Sequence, residues 1–353
     1  MKTRMTELFG LRYPIMLAGM NWLTTPRLVA AVSNAGGLGV LGCAHYNREE
    51  LRANIRKIRE LTDKPFGVNV TLWQPKTQGL VPVILEEKVP VVNYSLGRPP
   101  EVTALIKAVH GYGGKIIGTV ALSRHAVRAE QLGADLLNIT GYEAAAHSGN
   151  VGAIVLIPTI AGAVKIPCIA AGGFCDGKGL AAALALGAEG IAMGTRLAAT
   201  QEAEVPEAVK QAWVKATEED TVIDPAFDGI NCRVLRNKAA EDLMKKRIPV
   251  LDALWAALRL KQTLKLSYAE LMRSARNLKK NEQRSLASVM RFAVGAELFV
   301  KATGEGDLVS GILMCGQGVG RIHDIPTVAA VMERTIVEAE QAMNQLKAKV
   351  EAK

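Results

Sequence analysis

The chain has 353 residues, enough for one large domain or a domain with an insertion, and its 49% hydrophobic content with 33 glycines suits an α/β protein. Aromatic residues make up only 5%, which argues against base-stacking platforms and a nucleic-acid partner, and no run of about 18 apolar residues offers a membrane span. The net charge of +9 is concentrated between Arg236 and Lys301, where 15 Lys/Arg face six Asp/Glu; a solvated helical face or an anionic ligand or carrier accounts for it.

Eight short apolar segments rich in branched residues occur in chain order at 14–18, 38–42, 66–72, 89–94, 115–120, 135–140, 167–171 and 190–193. Their nearly continuous apolar character is that of buried parallel strands. Amphipathic helical stretches lie between them at 26–35, 48–61, 101–109, 124–132 and 178–186. Eight βα units predict a TIM (β/α)8 barrel over residues 1–201 rather than an open doubly wound sheet. The glycines at 36, 37 and 39 lead from a helix into a strand, the wrong polarity for a dinucleotide fingerprint.

The alternation stops after Thr200. Residues 202–303 read as mostly helical with no strong strand, a helical lid or substrate domain inserted over the barrel mouth. Residues 304–307 form a polar break, and 304–353 return to the barrel, ending in an amphipathic helix over 325–353 with Pro326 in its first turn. The five cysteines are scattered and contain no C-x-x-C pair. That spacing predicts reduced thiols, no disulfide framework and no metal site, and the first residues lack the apolar core of a signal peptide. The expectation is a cytoplasmic protein with no membrane span.

The most informative stretch is 167–179, PCIAAGGFCDGKG, followed by GIAMGTR at 190–196. It reads as strand, glycine turn, helix, strand, glycine turn. Glycine directly after a strand allows positive φ and close approach of a ligand. Two such turns one βα unit apart can aim several N–H groups at one phosphate, as the last two loops of a barrel do; two glycine helix caps without a ligand would carry the same residues.

The other polar candidates also follow strands, on the face where barrel active sites sit. Gly19-Met20-Asn21-Trp22 follows the first strand, Asn69 ends the third, and His147 lies in a loop of small residues after the sixth. An imidazole there can take a proton from a carbon acid or give one to a reduced product. Asn69 can hydrogen-bond a heteroaromatic edge.

These residues resemble the nitronate monooxygenase family, formerly 2-nitropropane dioxygenases, FMN-binding TIM barrels that include flavin-dependent enoyl-acyl-carrier-protein reductases and NAD(P)H:quinone reductases. The resemblance covers nearly the whole chain and is strongest in AVSNAGGLG (31–39), LTDKPFGVN (61–69), residues 143–149 and AAGGFCDGKGLAAALALGAEGIAMGT (170–195). It implies that Gly172, Gly173, Gly194 and Thr195 hold the FMN phosphate, that Gly19, Met20 and Asn69 meet the isoalloxazine, that Gly149 belongs to the cofactor site, and that His147 is catalytic. Two departures stand out. Ala145 and Ala146 replace the glycines of the usual E-A-G-G-H-x-G loop, and the turn at 19–22 and the segment at 232–237 are more like the reductase branches.

The resulting expectation is an FMN-dependent oxidoreductase, in first place a nitronate monooxygenase oxidising alkyl nitronates with O2. The alternative is an NAD(P)H-dependent reductase of a quinone or enoyl thioester, with NAD(P)H as co-substrate. A non-enzymatic barrel binding a phosphorylated ligand is the distant third. The partners expected are small molecules, with a homodimer as an allowed assembly.

Overall fold

The computed structural model describes residues 1–72, 75–245 and 286–351. Eight parallel strands form one sheet: β1 (Ile15–Leu17), β2 (Gly39–Gly42), β3 (Phe66–Thr71), β4 (Val91–Ser95), β5 (Lys115–Val120), β6 (Leu136–Thr140), β7 (Cys168–Ala171) and β8 (Ile191–Met193). Neighbours pair in chain order from β2 to β8, and β8 pairs β1 with Ile15 opposite Ile191. A parallel bridge between Met16 and Leu38 joins β1 to β2 and completes the ring. The chain is an α/β TIM barrel, and all eight strands coincide with the segments expected from sequence.

Helices fill the connections for local reasons. In Arg48–Leu61, Asn47 accepts a hydrogen bond from Glu50 N at 2.8 Å while Glu50 Oε2 accepts from Asn47 N at 3.0 Å, a reciprocal cap. Pro26–Asn34 and Pro99–Gly111 begin with proline, whose missing N–H costs nothing in a first turn. Outward-facing Val68, Val92, Ile116, Leu137, Ala170 and Ile191 pack under these helices.

The barrel interior changes character along its axis. Met16, Leu38, Val40, Val91, Ile117, Leu136, Ile169 and Ala192 form a separate apolar cluster, plugged from below by Met5 and Phe9 of helix Arg4–Phe9. Two residues further along each strand the same inward face is reached again. On β3 to β6 those positions are Asn69, Asn93, Thr119 and Asn138, while β7 contributes Ala171. The mouth of the barrel is therefore polar on one side and lined by small residues on the other.

Beyond the barrel, the described part of residues 202–303 adds a feature to the expected helices. Helices Glu207–Lys215, Lys238–Lys245 and Leu286–Glu305 are present, but between the first two lies an antiparallel hairpin, β9 (Thr221–Asp224) with β10 (Cys232–Leu235). Four-residue strands carry little periodicity. Their partners are tertiary: β10 also bridges Ala146 through Arg233 and Met314 through Val234. Phe227, Cys232, Val234, Ala240, Leu243, Phe299 and Ile312 form a small core there. The part of the expected lid at 246–285 lies outside the described residues. Helix Val328–Glu351 packs on helix Gly177–Ala185, where Glu338 Oε2 accepts a hydrogen bond from Gly177 N at 3.0 Å. Among the described residues no helix is long and apolar enough to cross a membrane.

Candidate active site

The barrel mouth brings the residues singled out in the sequence onto one rim. After β1, the Gly19 carbonyl accepts a hydrogen bond from Asn69 Nδ2 at 3.2 Å, and a Cβ on Gly19 would stand 2.4 Å from Asn69 Cβ. Glycine is required by that approach. Met20 sulfur would lie 3.3 Å from a Cβ on Gly194, which ties the β1 turn to the turn after β8. Thr24 Oγ1 donates to the Met20 carbonyl at 2.8 Å and accepts from Gly42 N at 2.7 Å, fixing this turn against β2.

The glycine turns after β7 and β8 leave adjacent strands, with Ala171 opposite Ala192. Gly172 (φ +99°) and Gly173 (φ +80°) occupy the left-handed region, as expected for such a turn. Gly194 does not; at φ −102° it caps the short helix Thr195–Ala198, and glycine serves there for space beside Met20. Among the described residues no protein acceptor takes the N–H groups of Gly172, Gly173 or Gly194. Thr195 Oγ1 accepts from Gly316 N at 3.2 Å and keeps its own proton to donate. Asp176 accepts from Gly179 N at 2.8 Å, so the following helix is capped by protein, and the free amides belong to the turns.

On the polar side, Thr119 Oγ1 donates to Asn93 Oδ1 at 2.8 Å and accepts from Asn138 Nδ2 at 3.3 Å. Asn138 Oδ1 is buried with no protein hydrogen bond. A buried acceptor left unpaired is costly, so this one fits a ligand donor. The sequence reading missed Asn93, Thr119 and Asn138. The available signal was polar residues set inside otherwise apolar strands, as in VVNYS and LLNIT.

The loop after β6 carries His147 and Gly149. A Cβ on Gly149 would come within 3.0 Å of the Ala121 carbonyl, so this position holds the loop close to the end of β5. His147 Nε2 contacts Asp228 Oδ2, a carboxylate from the β9–β10 connection that no spacing in the sequence indicated. The Asp228 side chain is 3% exposed and that of His147 38%. Cys232 Sγ lies with these two groups, the three potential ligand atoms being within 4.8 Å of one another. Burial, with the Asp228 charge added, raises the Cys232 thiol well above its ordinary range and keeps it protonated. Arg233 is also buried, donating to Thr221 Oγ1 at 3.0 Å and the Tyr142 carbonyl at 3.1 Å, with its guanidinium 4.8 Å from the Tyr142 ring.

A cavity of about 300 Å³ lies behind the glycine turns, lined by Asp176, Arg196, Arg321, Asp324, Arg334 and Glu338. Its charges are internally matched: Arg196 and Arg334 meet Asp324 at 3.0 and 2.7 Å, and Arg321 meets Asp176. This network braces the segment after Gly316. The barrel mouth offers a different chemistry: free amides on one side, an unpaired amide oxygen on the other, and an imidazole backed by a carboxylate. That set suits a flat, phosphorylated ligand beside a proton-transfer group.

A family model described as nitronate monooxygenase matches residues 2–80 and 74–338. A Rhodococcus jostii protein named (3aS,4S,5R,7aS)-5-hydroxy-7a-methyl-1-oxo-octahydro-1H-indene-4-carboxyl-CoA dehydrogenase is 35% identical over 98% of both chains. A Staphylococcus aureus protein named probable nitronate monooxygenase is 34% identical over 69% of this chain and 80% of its own. The solved structure of FabK from Thermotoga maritima superposes with a TM-score of 0.81 at 36% identity, covering 99% of each chain. The chain belongs to the nitronate monooxygenase family and is a flavin oxidoreductase.

Proposed function

We propose that the protein is an FMN-dependent oxidoreductase of an acyl thioester, using NAD(P)H or NAD(P)+ as its redox partner and His147 as its proton-transfer group. The observation that carries this reading is the His147–Asp228 pair at the barrel mouth. A nitronate arrives already deprotonated, whereas hydrogen exchange beside a thioester carbonyl needs a proton placed on, or removed from, carbon. A relative matching over 98% of this chain bears the name of a carboxyl-CoA dehydrogenase, which supports a thioester substrate.

The residues divide the work. The N–H groups of Gly172, Gly173 and Gly194 and the Thr195 hydroxyl would hold the phosphate, and Asn69, Asn138 and the turn at Gly19-Met20 would face the ring system. When bound, FMN supplies two-electron redox capacity, and the protein contributes placement and electrostatics. Saturating an enoyl thioester consumes a hydride at Cβ and a proton at Cα. His147 gives that proton and recovers one from solvent; in the reverse direction it takes the Cα proton.

Nitronate oxidation is the second reading, favoured by the family model and the staphylococcal relatives. There His147 acts as base on the neutral nitroalkane. Anaerobic stopped-flow separates the two. Bleaching of the flavin is followed with NADPH, NADH and ethylnitronate, and recovery of its colour with crotonyl-CoA and with a quinone. Bleaching by NAD(P)H and recovery with crotonyl-CoA support the thioester reading. Bleaching by ethylnitronate alone overturns it.

A further inference from the structure

We propose that Asp228 is a positioning residue that holds His147 as its Nε2–H tautomer and leaves Nδ1 as the atom that exchanges protons with substrate. The inference deepens the acid–base reading of His147 given above and rests on it.

The argument begins with the carboxylate. Asp228 is 2% exposed, and a charge so buried persists only when hydrogen bonds replace its lost water. Ionised, it can only accept. The ring nitrogen facing it, Nε2, must therefore carry a hydrogen in the neutral imidazole as well as in the cation. The other carboxylate oxygen, Oδ1, accepts from Ile230 N at 3.3 Å within its own turn, which turns Oδ2 toward the ring. Among the described residues Nδ1 has no protein partner, and it belongs to a side chain that is 38% exposed at the mouth. In the neutral form Nδ1 presents a lone pair; after taking a proton it presents N–H, and the new positive charge sits against Asp228.

Both members of the pair are held by the same structure. Ala146, next to His147, exchanges two backbone hydrogen bonds with Arg233 of β10, and Asp228 sits in the connection that leads into β10. From the opposite side, helix Leu286–Glu305 closes on that connection. A Cβ on Gly295 would fall 1.7 Å from the Phe227 carbonyl oxygen and 3.4 Å from Asp228 Cα, and Arg291 Nη1 donates to the Ala226 carbonyl at 3.1 Å. Among the described residues, the titratable and charged groups packed around this connection include Cys232 and Arg233 from the hairpin and Arg291, bonded to the Ala226 carbonyl, from the helix. The protonated Cys232 thiol and the two fixed guanidinium charges leave Asp228 as the acceptor that chooses the tautomer.

The test is made on the FMN-loaded enzyme labelled with 15N-histidine. His147→Gln assigns the His147 signals, and long-range 1H–15N correlations report the tautomer. Wild type is expected to show Nε2 protonated and Nδ1 bare at high pH. Asp228→Asn is expected to lose that preference, and Asp228→Glu to restore it. The same variants are assayed with NADPH and crotonyl-CoA, or with nitroethane and O2, whichever wild type turns over. Loss of the correct tautomer should cost about 10²–10⁴-fold in kcat, with KM within about 3-fold and partial recovery in Asp228→Glu. If Asp228→Asn fails to fold, the wild-type tautomer, read without any change at Asp228, decides the proposal alone. A wild-type Nδ1–H tautomer, wild-type kcat in Asp228→Asn, or a stoichiometric metal ion removable by chelator would overturn the proposal. An inactive His147→Ala beside a fully active Asp228→Asn would sink this inference alone; a fully active His147→Ala would sink the acid–base reading beneath it.

Discussion

Ala146 and Arg233 exchange two backbone hydrogen bonds, Ala146 N to the Arg233 carbonyl at 3.1 Å and Arg233 N to the Ala146 carbonyl at 2.9 Å, while Ala146 stands at φ +54°. This is one of the two places where the resemblance leads one to expect glycine. The left-handed conformation costs a non-glycine residue about 1–2 kcal/mol, and the paired strand β10 holds it. Ala146→Gly removes that strain but adds about 0.4–1 kcal/mol of unfolded-state freedom. The expected result is a protein more stable by about 0.5–1 kcal/mol in urea unfolding, with slower turnover because the His147 loop is less fixed. A loss of stability would show that Ala146 is unstrained.

Gly173→Asp should yield a folded, colourless protein. Gly173 is at φ +80°, and its added Cβ would lie 3.3 Å from Glu143 Cβ, so the new carboxylate would meet Glu143 and repel the phosphate proposed to bind this turn. Gly173→Ala introduces the backbone strain without the charge and should retain part of the flavin. Flavin absorbance relative to protein absorbance measures both. Full FMN occupancy in the aspartate variant would remove the glycine turns from the phosphate site.

His147→Ala is expected to bind FMN normally, because its partner is Asp228 and not the glycine turns. Its turnover of a neutral carbon acid or a reducible thioester should fall about 10²–10⁴-fold. Ethylnitronate, which needs no base, should suffer less. Equal losses on both substrates would mean that the ring shapes the pocket and moves no proton.

The eight barrel strands were legible because burial on both faces writes a nearly unbroken apolar run, as in Lys115–Val120 and Leu136–Thr140. The glycine turns were legible because positive φ at Gly172 and Gly173 demands glycine. The hairpin was not. Thr221–Asp224 and Cys232–Leu235 are four residues each, and buried Arg233 breaks any alternation of apolar and polar positions. Asp228 was hidden for a different reason. It meets His147 across 81 residues, and no periodicity relates a barrel loop to the connection of a distant hairpin. Its local trace is an acid placed directly after the fully buried Phe227.

The buried thiols should be inert in the native protein. Burial pushes Cys43, Cys168, Cys175 and Cys315 up to about 12 and Cys232 well above its ordinary range. At pH 8 the thiolate fraction of a group near 12 is about 10³ lower than that of a free cysteine. Ellman's reagent should therefore label none of the five rapidly, and all five after denaturation. One fast native equivalent would locate a thiol outside the core.

His45 should make the protein sensitive to acid. It packs against Tyr46 and Trp22, with ring centroids 3.8 and 5.4 Å away, and burial, with the Lys76 charge added, holds it down at about 4 from an ordinary 6.5. The native state stays neutral while the unfolded chain takes up a proton. Its contribution is therefore full above pH 6.5 and is lost as the pH falls through 4, amounting to about 3 kcal/mol. Urea midpoints between pH 7 and pH 4.5 should decline in wild type and decline less in His45→Gln. Parallel declines would assign the acid sensitivity to other groups.

The contact between Gly177 and Glu338 spans 161 residues, and helix Gly177–Ala185 rests on helix Val328–Glu351 immediately beside the glycine turns. On the ribosome these partners emerge far apart in time. At roughly 5–20 residues per second, the first helix waits about 8–30 s for the second. During that interval the apolar flank of Leu180, Ala181 and Ala183 lacks part of its final cover, while the barrel strands before it have already left the exit tunnel. The nascent chain thus holds a nearly complete ring of strands while the N-terminus of helix Gly177–Ala185 still lacks the carboxylate that Glu338 brings to it.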